Sequence, residues 1–241
     1  MGMFRDGYYY LDTEEVPKWQ KKITGTNYPA LAGIDPFTKR GDQVLKDFKV
    51  IVEPFDVFYT KRGAIAETLS KLSLERDGQR CTIYKDIWDC FKGVKNFGGI
   101  IDIELLDHNT LYEIKSKNIK DYDKIVKWGC RQQEAQAKHY AWLRGYQTCY
   151  IQWVFFPDNI ESQIRNDEKI TSWQGIKKYT KQLWVDLEEE ERLHKEALEF
   201  YTKCFTEKRI PIVEISENYQ KQLGIECEVL TTENSPFKEG I

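Results

Sequence analysis

Two short stretches decide the fold of this chain: GGIIDIEL at residues 98–105 and TLYEIK at residues 110–115. Both are rich in β-branched or aromatic residues, which is typical of strands. The four residues between them, LDHN, include an aspartate and an asparagine, and these residue types favour a tight connection. We therefore predict two strands that pair as a β-hairpin.

Carboxylates occupy regular positions on both predicted strands. Alternation places Asp102 and Glu104 on one face of the first strand. The opposite face carries Ile101, Ile103 and Leu105. One face of the second strand carries Leu111, Glu113 and Lys115. Because paired strands lie about 4.8 Å apart, Asp102 and Glu113 can converge on one hard cation such as Mg²⁺, with Lys115 on the same side.

This arrangement suits the hydrolysis of a phosphodiester, in which Mg²⁺ activates a water and a lysine orients or deprotonates it. A solvent-facing strand on which Lys115 pairs with a carboxylate explains the short pattern equally well. The flanking pair Gly98–Gly99 and the apolar pair Ile100–Ile101 favour the metal site. They place Asp102 inside a strand, where a carboxylate is costly without a cation. We interpret Glu104 as a partner of this site or a bystander.

The rest of the chain alternates between helical and strand patterns. The predicted elements are a short helix within 23–35 that ends at Gly33, a helix from Arg62 to about Glu75, a strand at 81–84, a helix from about Gly129 to Arg144, a strand at 147–156 ended by Pro157, and one or two helices within 173–208. This order predicts an α/β fold.

Composition limits the class of protein. The 241 residues include 36 Lys and Arg and 39 Asp and Glu, which gives a formal net charge of −3. The overall charge therefore does not by itself indicate a nucleic-acid partner. No stretch approaches the roughly 18 apolar residues of a membrane helix, and the first residues contain no apolar h-region, so we expect neither a membrane protein nor a secreted one. The six cysteines include no CxxC spacing, which favours reduced thiols in a cytoplasm over a disulfide framework or a zinc ribbon.

Four further motifs lie around the hairpin in a fixed order. They are WQKKITGT at 19–26 with ALAGIDPFTKRGD at 30–42, RGAIAE at 62–67, AQAKHY at 135–140 and CYIQWVFFP at 149–157. Together with the DX₁₀EXK spacing of the hairpin, they resemble the lambda-exonuclease or YqaJ-type viral recombinase family of the PD-(D/E)XK nucleases. The resemblance spans residues 19–157, with a compatible C-terminal helix up to about residue 211.

The resemblance implies a single nuclease domain over residues 1–241. Its core, at about residues 19–211, would have a restriction-endonuclease-like α/β fold with a central mixed β-sheet flanked by α-helices. The implied activity is a Mg²⁺-dependent 5′-to-3′ exonuclease on linear double-stranded DNA, with Mn²⁺ as a substitute metal. It would leave 3′ single-stranded overhangs for phage-type recombination. The resemblance also implies a protein of the bacterial cytoplasm that is encoded by a phage or prophage. Its implied partners are a single-strand annealing protein and two further copies of itself in a homo-trimer.

The resemblance also assigns roles to residues. Implied metal ligands are Asp102, Glu113, the backbone carbonyl of Ile114, and Glu67. Implied catalytic residues are Asp102, Glu113, Lys115, Glu67 and Gln136, and implied DNA-binding residues are Lys21, Lys22, Thr26, Gln136 and Tyr140. The opening motif lacks the arginine that the family uses near a 5′-phosphate, so Lys21 or Lys22 would replace it as a point charge.

Three alternatives remain at this point. Ile65, Leu69 and Leu72 form a helical stripe nearly opposite Glu67, so periodicity alone predicts a solvated Glu67. The lysines and aromatic residues within 117–128 would line either a DNA channel or a solvated loop. The chain could also be a CRISPR-associated RecB-type exonuclease, another PD-(D/E)XK endonuclease, or a non-catalytic DNA-binding protein on the same scaffold. We assign the three histidines no catalytic role.

Overall fold

A computed structural model describes residues 2–12, 14, 16–86 and 90–225 of the chain. Its strands are β1 Met3–Arg5, β2 Tyr8–Tyr10, β3 Ile23–Thr24, β4 Phe97–Gly98, β5 Ile103–Leu105, β6 Thr110–Asn118, β7 Thr148–Phe156, β8 Lys177–Trp184 and β9 Arg209–Pro211. Its helices are α1 Tyr28–Leu31, α2 Arg40–Asp47, α3 Val57–Arg76, α4 Tyr122–Trp128, α5 Arg131–Arg144, α6 Asp158–Arg165, α7 Leu187–Glu207 and α8 Glu217–Gln222. Within this part of the chain, no helix is long and apolar enough to cross a membrane.

The central sheet has four strands in the order β5-β6-β7-β8. Strands β5 and β6 form the predicted antiparallel hairpin, β6 runs parallel to β7, and β7 runs antiparallel to β8. The parallel step between β6 and β7 needs a crossover, which α4 and α5 provide. The predicted α/β fold with a mixed central sheet flanked by helices is therefore confirmed.

Helices cover both faces of this sheet. Helix α3 packs on one face, where Ile103 and Ile114 meet Leu69. Helices α4 and α5 pack on the other face, where Ile151 and Trp153 are fully buried. Burying each side chain of this size contributes roughly 1.5–3 kcal/mol, so the two layers hold β6 rigidly between them.

The chain ends build a second layer beside the sheet. Strands β1, β2 and β9 form a small antiparallel sheet, and a core containing Tyr28 and Tyr201 joins it to α1, α2 and α7. His139 and His194 are buried beside this core with their Nδ1 and Nε2 atoms 2.8 Å apart. Burial lowers the pKa of His139 to about 4, which agrees with a structural role.

Two predicted helices differ from the structure at their N-terminal ends. The segment 23–35 begins as the short strand β3, which pairs in parallel with β4, and only Tyr28–Leu31 is helical. Helix α3 begins five residues earlier than predicted, because Asp56 caps it by accepting a hydrogen bond from the Phe58 N–H at 2.9 Å. The predicted helix ending at Arg144 and the strand ending before Pro157 are confirmed to within two residues.

Two strand predictions are wrong in part. In the segment 81–84, Thr82 forms an isolated bridge with Glu104 and no strand. In the segment 98–105, β4 ends at Gly98 and β5 begins at Ile103, so the expected alternation does not extend through Ile101. Ile101 packs with the α5 layer whereas Ile103 packs with the α3 layer. Asp102 therefore lies just outside the strand in which it was expected.

The helical prediction for 173–208 is wrong in its first half. Residues Lys177–Trp184 form β8, which pairs with β7 over eight residues, and only Leu187–Glu207 is helical. Strand β8 lies at the edge of the central sheet, and most of its side chains are exposed. Charged side chains are usual on such an edge, and they hide the period-two pattern of a strand.

Candidate active site

A turn between β4 and β5 positions Asp102. Gly99 has φ +135°, and a Cβ atom there would stand 2.4 Å from the ring of Tyr140, so only glycine fits this position without strain. The turn brings the Asp102 carboxylate against β6, where its Oδ2 accepts a hydrogen bond from the Ile114 N–H at 2.7 Å. This bond holds Asp102 beside the strand that carries Glu113 and Lys115.

Strand β6 presents Glu113 and Lys115 on one face, as the alternation predicts. Glu113 is 1% exposed, and the Lys115 ammonium donates to its Oε1 at 2.6 Å. Among the described residues, the buried Oε2 of Glu113 has no hydrogen-bond partner. Such an unsatisfied carboxylate oxygen is costly in a protein interior.

Burial and like charge dominate the electrostatics of these carboxyl groups. Burial and the neighbouring Asp102 raise the pKa of Glu113 to about 8, against the opposing effect of the Lys115 ammonium. Burial also raises the pKa of Asp102. The pKa of Lys115 is raised, because the nearby carboxylates outweigh the effect of its own burial. Lys115 therefore remains an ammonium ion at neutral pH.

Helix α3 places Glu67 on the rim of the same cavity. The Glu67 side chain is solvent-accessible, but partial burial and repulsion from Asp102 raise its pKa to about 7. The two interpretations of Glu67, a solvated residue and a site residue, thus both hold in part. In the predicted apolar stripe, Leu69 is buried but Leu72 is 47% exposed.

Helix α5 and the β3–α1 turn close the other side of the cavity. Gln136 and Tyr140 lie one turn apart on α5, and Thr26 faces them from the turn. A Cβ atom on Gly25 would stand 2.5 Å from the Tyr140 ring, so this ring is held between two glycine backbones. Burial, followed by the charge of Glu113, raises the pKa of Tyr140 well above its usual value, and its hydroxyl stays protonated.

The cavity has a volume of about 500 Å³. It is lined by Thr24, Thr26, Gly63, Glu67, Gly99, Ile100, Asp102, Glu113, Ile114, Lys115, Ser116, Gln136 and Tyr140. Ten different residues were predicted from the sequence as metal, catalytic or DNA-binding positions. Eight of them line this cavity, and the other two, Lys21 and Lys22, lie outside it. Among the described lining residues, Lys115 is the single cation.

The oxygen donors of this cavity suit a hard divalent cation. Within the described residues, no group of three or more His, Cys, Asp or Glu side chains is arranged so that it could hold a metal ion. Lys115 and the Ile114 N–H instead engage one oxygen each of Glu113 and Asp102. The unsatisfied Oε2 of Glu113 fits a cation, because Mg²⁺ binds carboxylate oxygens and keeps several of its own waters.

Lys21 and Lys22 line a neighbouring cavity instead. Lys21 Nζ donates to the backbone carbonyl of Asp47, and Lys22 Nζ donates to that of Val94. The two cavities share Thr24 in their walls. The structure therefore does not bring these lysines together with Thr26 and Gln136, contrary to the sequence expectation.

Sequence reasoning missed the groups that anchor the turn and the helix around the site. Glu104 is fully buried, and Arg144 on α5 donates to both of its oxygens at 2.8 and 3.1 Å. Tyr146 adds a third hydrogen bond at 2.9 Å. Glu104 is thus a structural partner of α5. In the sequence, the burial of Glu104 is indicated only by its apolar neighbours Ile103 and Leu105. A buried carboxylate in turn predicts a cationic partner.

Comparisons with known proteins report on the fold. No protein-family model and no curated protein sequence matches the chain. Several solved structures are similar to it. The alkaline exonuclease LHK-Exo from Laribacter hongkongensis is 15% identical, with a TM-score of 0.53, over 88% of this chain and 98% of its own.

A second structure of LHK-Exo, in complex with dAMP, is 14% identical, with a TM-score of 0.54, over 84% of this chain and 93% of its own. A phage-related exonuclease from Haemophilus somnus 129PT is 16% identical, with a TM-score of 0.54, over 78% of this chain and 94% of its own. At these identities the likeness is one of fold, and the fold is the one that the sequence resemblance implied.

Proposed function

We propose that this chain is a Mg²⁺-dependent exonuclease that degrades linear double-stranded DNA from 5′ ends and leaves 3′ single-stranded overhangs. One observation supports this most strongly: Asp102, Glu113 and Lys115 converge in one cavity, where a buried oxygen of Glu113 lacks a partner. The fold likeness to exonuclease structures supports the same class of activity.

Asp102, Glu113, the carbonyl of Ile114 and Glu67 would hold the metal. When bound, Mg²⁺, or Mn²⁺ in its place, lowers the pKa of a water and offsets the charge of the phosphate. Lys115, as an ammonium ion, donates hydrogen bonds to the attacking water or to a phosphate oxygen. Without metal, burial and Asp102 raise the pKa of Glu67 to about 7, so metal binding near neutral pH would displace a proton from this carboxyl group.

Thr26, Gln136 and Tyr140 would bind the DNA strand. All three line the cavity opposite the carboxylates, and the protonated Tyr140 hydroxyl can donate to a phosphate oxygen. Lys21 or Lys22 would contact a terminal 5′-phosphate if the strand end passes Thr24, which borders both cavities, and enters the neighbouring one. A comparison of 5′-phosphorylated with 5′-hydroxyl duplexes tests this contact in wild type and Lys22→Ala.

The wider setting belongs to the same proposal. We place the protein in a bacterial cytoplasm, encoded by a phage or prophage, where its overhangs would serve a single-strand annealing protein during recombination. A homo-trimer around the DNA would keep the enzyme on its substrate. Mass measurement in solution tests the trimer.

Linear and circular duplexes, incubated with Mg²⁺ or EDTA, test the activity itself. Loss of only the linear form, only with metal, supports the proposal, and labels at the 5′ or 3′ end report polarity. Asp102→Ala and Lys115→Ala should lose activity while folding normally. Asp107→Asn is the matched control, because this exposed carboxylate pairs with Arg80 outside the cavity. Full activity in Asp102→Ala, or cleavage of circular DNA, would overturn the proposal.

A further inference from the structure

A third cavity, of about 340 Å³ and separate from the one lined by Lys21 and Lys22, lies beside the far end of β6. Its walls come from the α1–α2 loop, from β6 and from the junction of α4 with α5. Two large aromatic side chains stand at this cavity with most of their surface in solvent: Phe37 is 79% exposed and Trp128 is 73% exposed. Neither side chain contributes much to the core, so packing does not explain them.

Cations surround these two rings. Lys117, Lys124 and Arg131 line the cavity, against the single carboxylate of Asp121 among its described lining residues. In the described part of the chain, these three cations have no ion-pair partner. Lys120 on the same segment, by contrast, pairs with Asp158 at 2.8 Å. The charge left at this cavity is therefore positive in a protein whose formal net charge is −3.

Strand β6 connects this cavity with the candidate active site. Lys115 lines the candidate active-site cavity, and Lys117 lines the cavity with the two exposed aromatic rings. Alternation along β6 puts both lysines on the same face of the strand. Their Cα atoms are about 7 Å apart, because a strand rises about 3.3 Å per residue. A DNA strand that leaves the catalytic cavity along β6 would therefore meet Lys117 within about 7 Å of Lys115.

We infer that Phe37, Lys117, Lys124, Trp128 and Arg131 bind a single-stranded segment of DNA next to the catalytic cavity. We call this set the aromatic–basic surface. Aromatic rings stack on bases only where the bases are unpaired, and cations track the phosphates. Lys127 adds charge here, since its ammonium lies 4.8 Å from the centroid of the Trp128 ring. The inference rests on the proposed nuclease function, because it takes DNA as the ligand.

Binding without cleavage tests the surface directly. The probe is a fluorescein-labelled oligo-dT of about 20 nucleotides, titrated in EDTA and followed by fluorescence anisotropy. Trp128→Ala should weaken binding by about 5- to 150-fold, because base stacking contributes roughly 1–3 kcal/mol per base. Trp128→Phe should retain most of the affinity. The matched control is Trp184→Ala, which removes a 65% exposed ring on β8.

Salt dependence gives a second readout. Lys124→Ala should reduce the slope of log K against log salt concentration by about 0.7, the value for one phosphate contact to a single strand. Equal affinity in wild type and Trp128→Ala, or equal loss in Trp184→Ala, would overturn the inference. These results are separable from the activity assay. If wild type degrades linear duplexes but Trp128→Ala binds oligo-dT normally, the surface proposal fails while the nuclease proposal stands.

Discussion

Glu113→Gln in the metal-free protein would remove a fully buried carboxyl group whose ionised form is disfavoured by burial and by Asp102. In the folded protein, burial and Asp102 raise the pKa of Glu113 from 4.5 to about 8. Between these two pH values the folded state holds a proton that the unfolded chain releases. The stabilisation from this group is therefore fully present below pH 4.5, and it is lost as the pH rises through 8.

The size of this effect follows from the shift. Between pH 6 and pH 8, proton linkage at Glu113 should reduce the free energy of unfolding by about 2 kcal/mol. For a chain of 241 residues this corresponds to a drop in melting temperature of about 4–8 °C. Glutamine cannot ionise, so Glu113→Gln should lose this part of the pH dependence. A smaller slope should remain, because the pKa of Asp102 is also raised.

Urea denaturation of wild type and variant in EDTA, at intervals from pH 5 to pH 9, measures the difference. The exposed Glu191→Gln serves as control. Saturating Mg²⁺ should stabilise wild type more at pH 8 than at pH 6, because metal ligands must be ionised. Parallel pH profiles for wild type and Glu113→Gln would refute the burial of an ionisable Glu113, and with it the electrostatic reason for a metal at this site.

Two other predictions concern the groups around the site. Gly99→Ala should destabilise the protein by about 1–3 kcal/mol and lower nuclease activity, because the added Cβ atom would clash with Tyr140 at a positive φ. Gly63→Ala is the control and should not destabilise the protein, because a Cβ atom there would have no neighbour within 4 Å. Equal melting temperatures for the two variants would contradict this prediction. Because burial lowers the pKa of His139 from 6.5 to about 4, the unfolded chain binds the extra proton, so the contribution of His139 to the free energy of unfolding should fall by about 2 kcal/mol from pH 7 to pH 5, opposite in sign to the contribution of Glu113. His139→Gln should remove this part of the acid loss and leave the part due to the neighbouring His194, whose pKa burial also lowers. The exposed His108→Gln should keep the whole loss, and identical acid profiles for the two variants would contradict this prediction.

Local patterns in the sequence were enough for part of the fold and the site. The turn residues and β-branched runs predicted the β5–β6 hairpin, and alternation along β6 put Glu113 and Lys115 on one face. The end of α5 was likewise predictable, because Gly145 adopts φ +70°, a conformation that favours glycine. These features depend on residues close together in the chain, so a local pattern is sufficient.

The resemblance to a nuclease family supplied what periodicity could not. Periodicity opposed a site role for Glu67, yet this residue lies on the rim of the candidate active-site cavity. The same resemblance pointed to Lys21 and Lys22, which the fold directs to a neighbouring cavity because their ammonium groups bind backbone carbonyls there. A family motif identifies residue types in order, but the local path of the backbone decides which cavity each side chain reaches.

Tertiary structure alone decided the position of Asp102 and the nature of β8. Asp102 leaves its strand because Tyr140, 41 positions further along the chain from Gly99, packs against the turn. Residues 177–184 become a strand because β7 offers a free edge, although their own charged pattern suggested a helix. By itself, the sequence determined the hairpin, the EXK pair and the helical layer after it. The arrangement of Asp102 against β6 and the strand at the sheet edge depend on contacts between residues that are distant in the sequence, and a local period does not record such contacts.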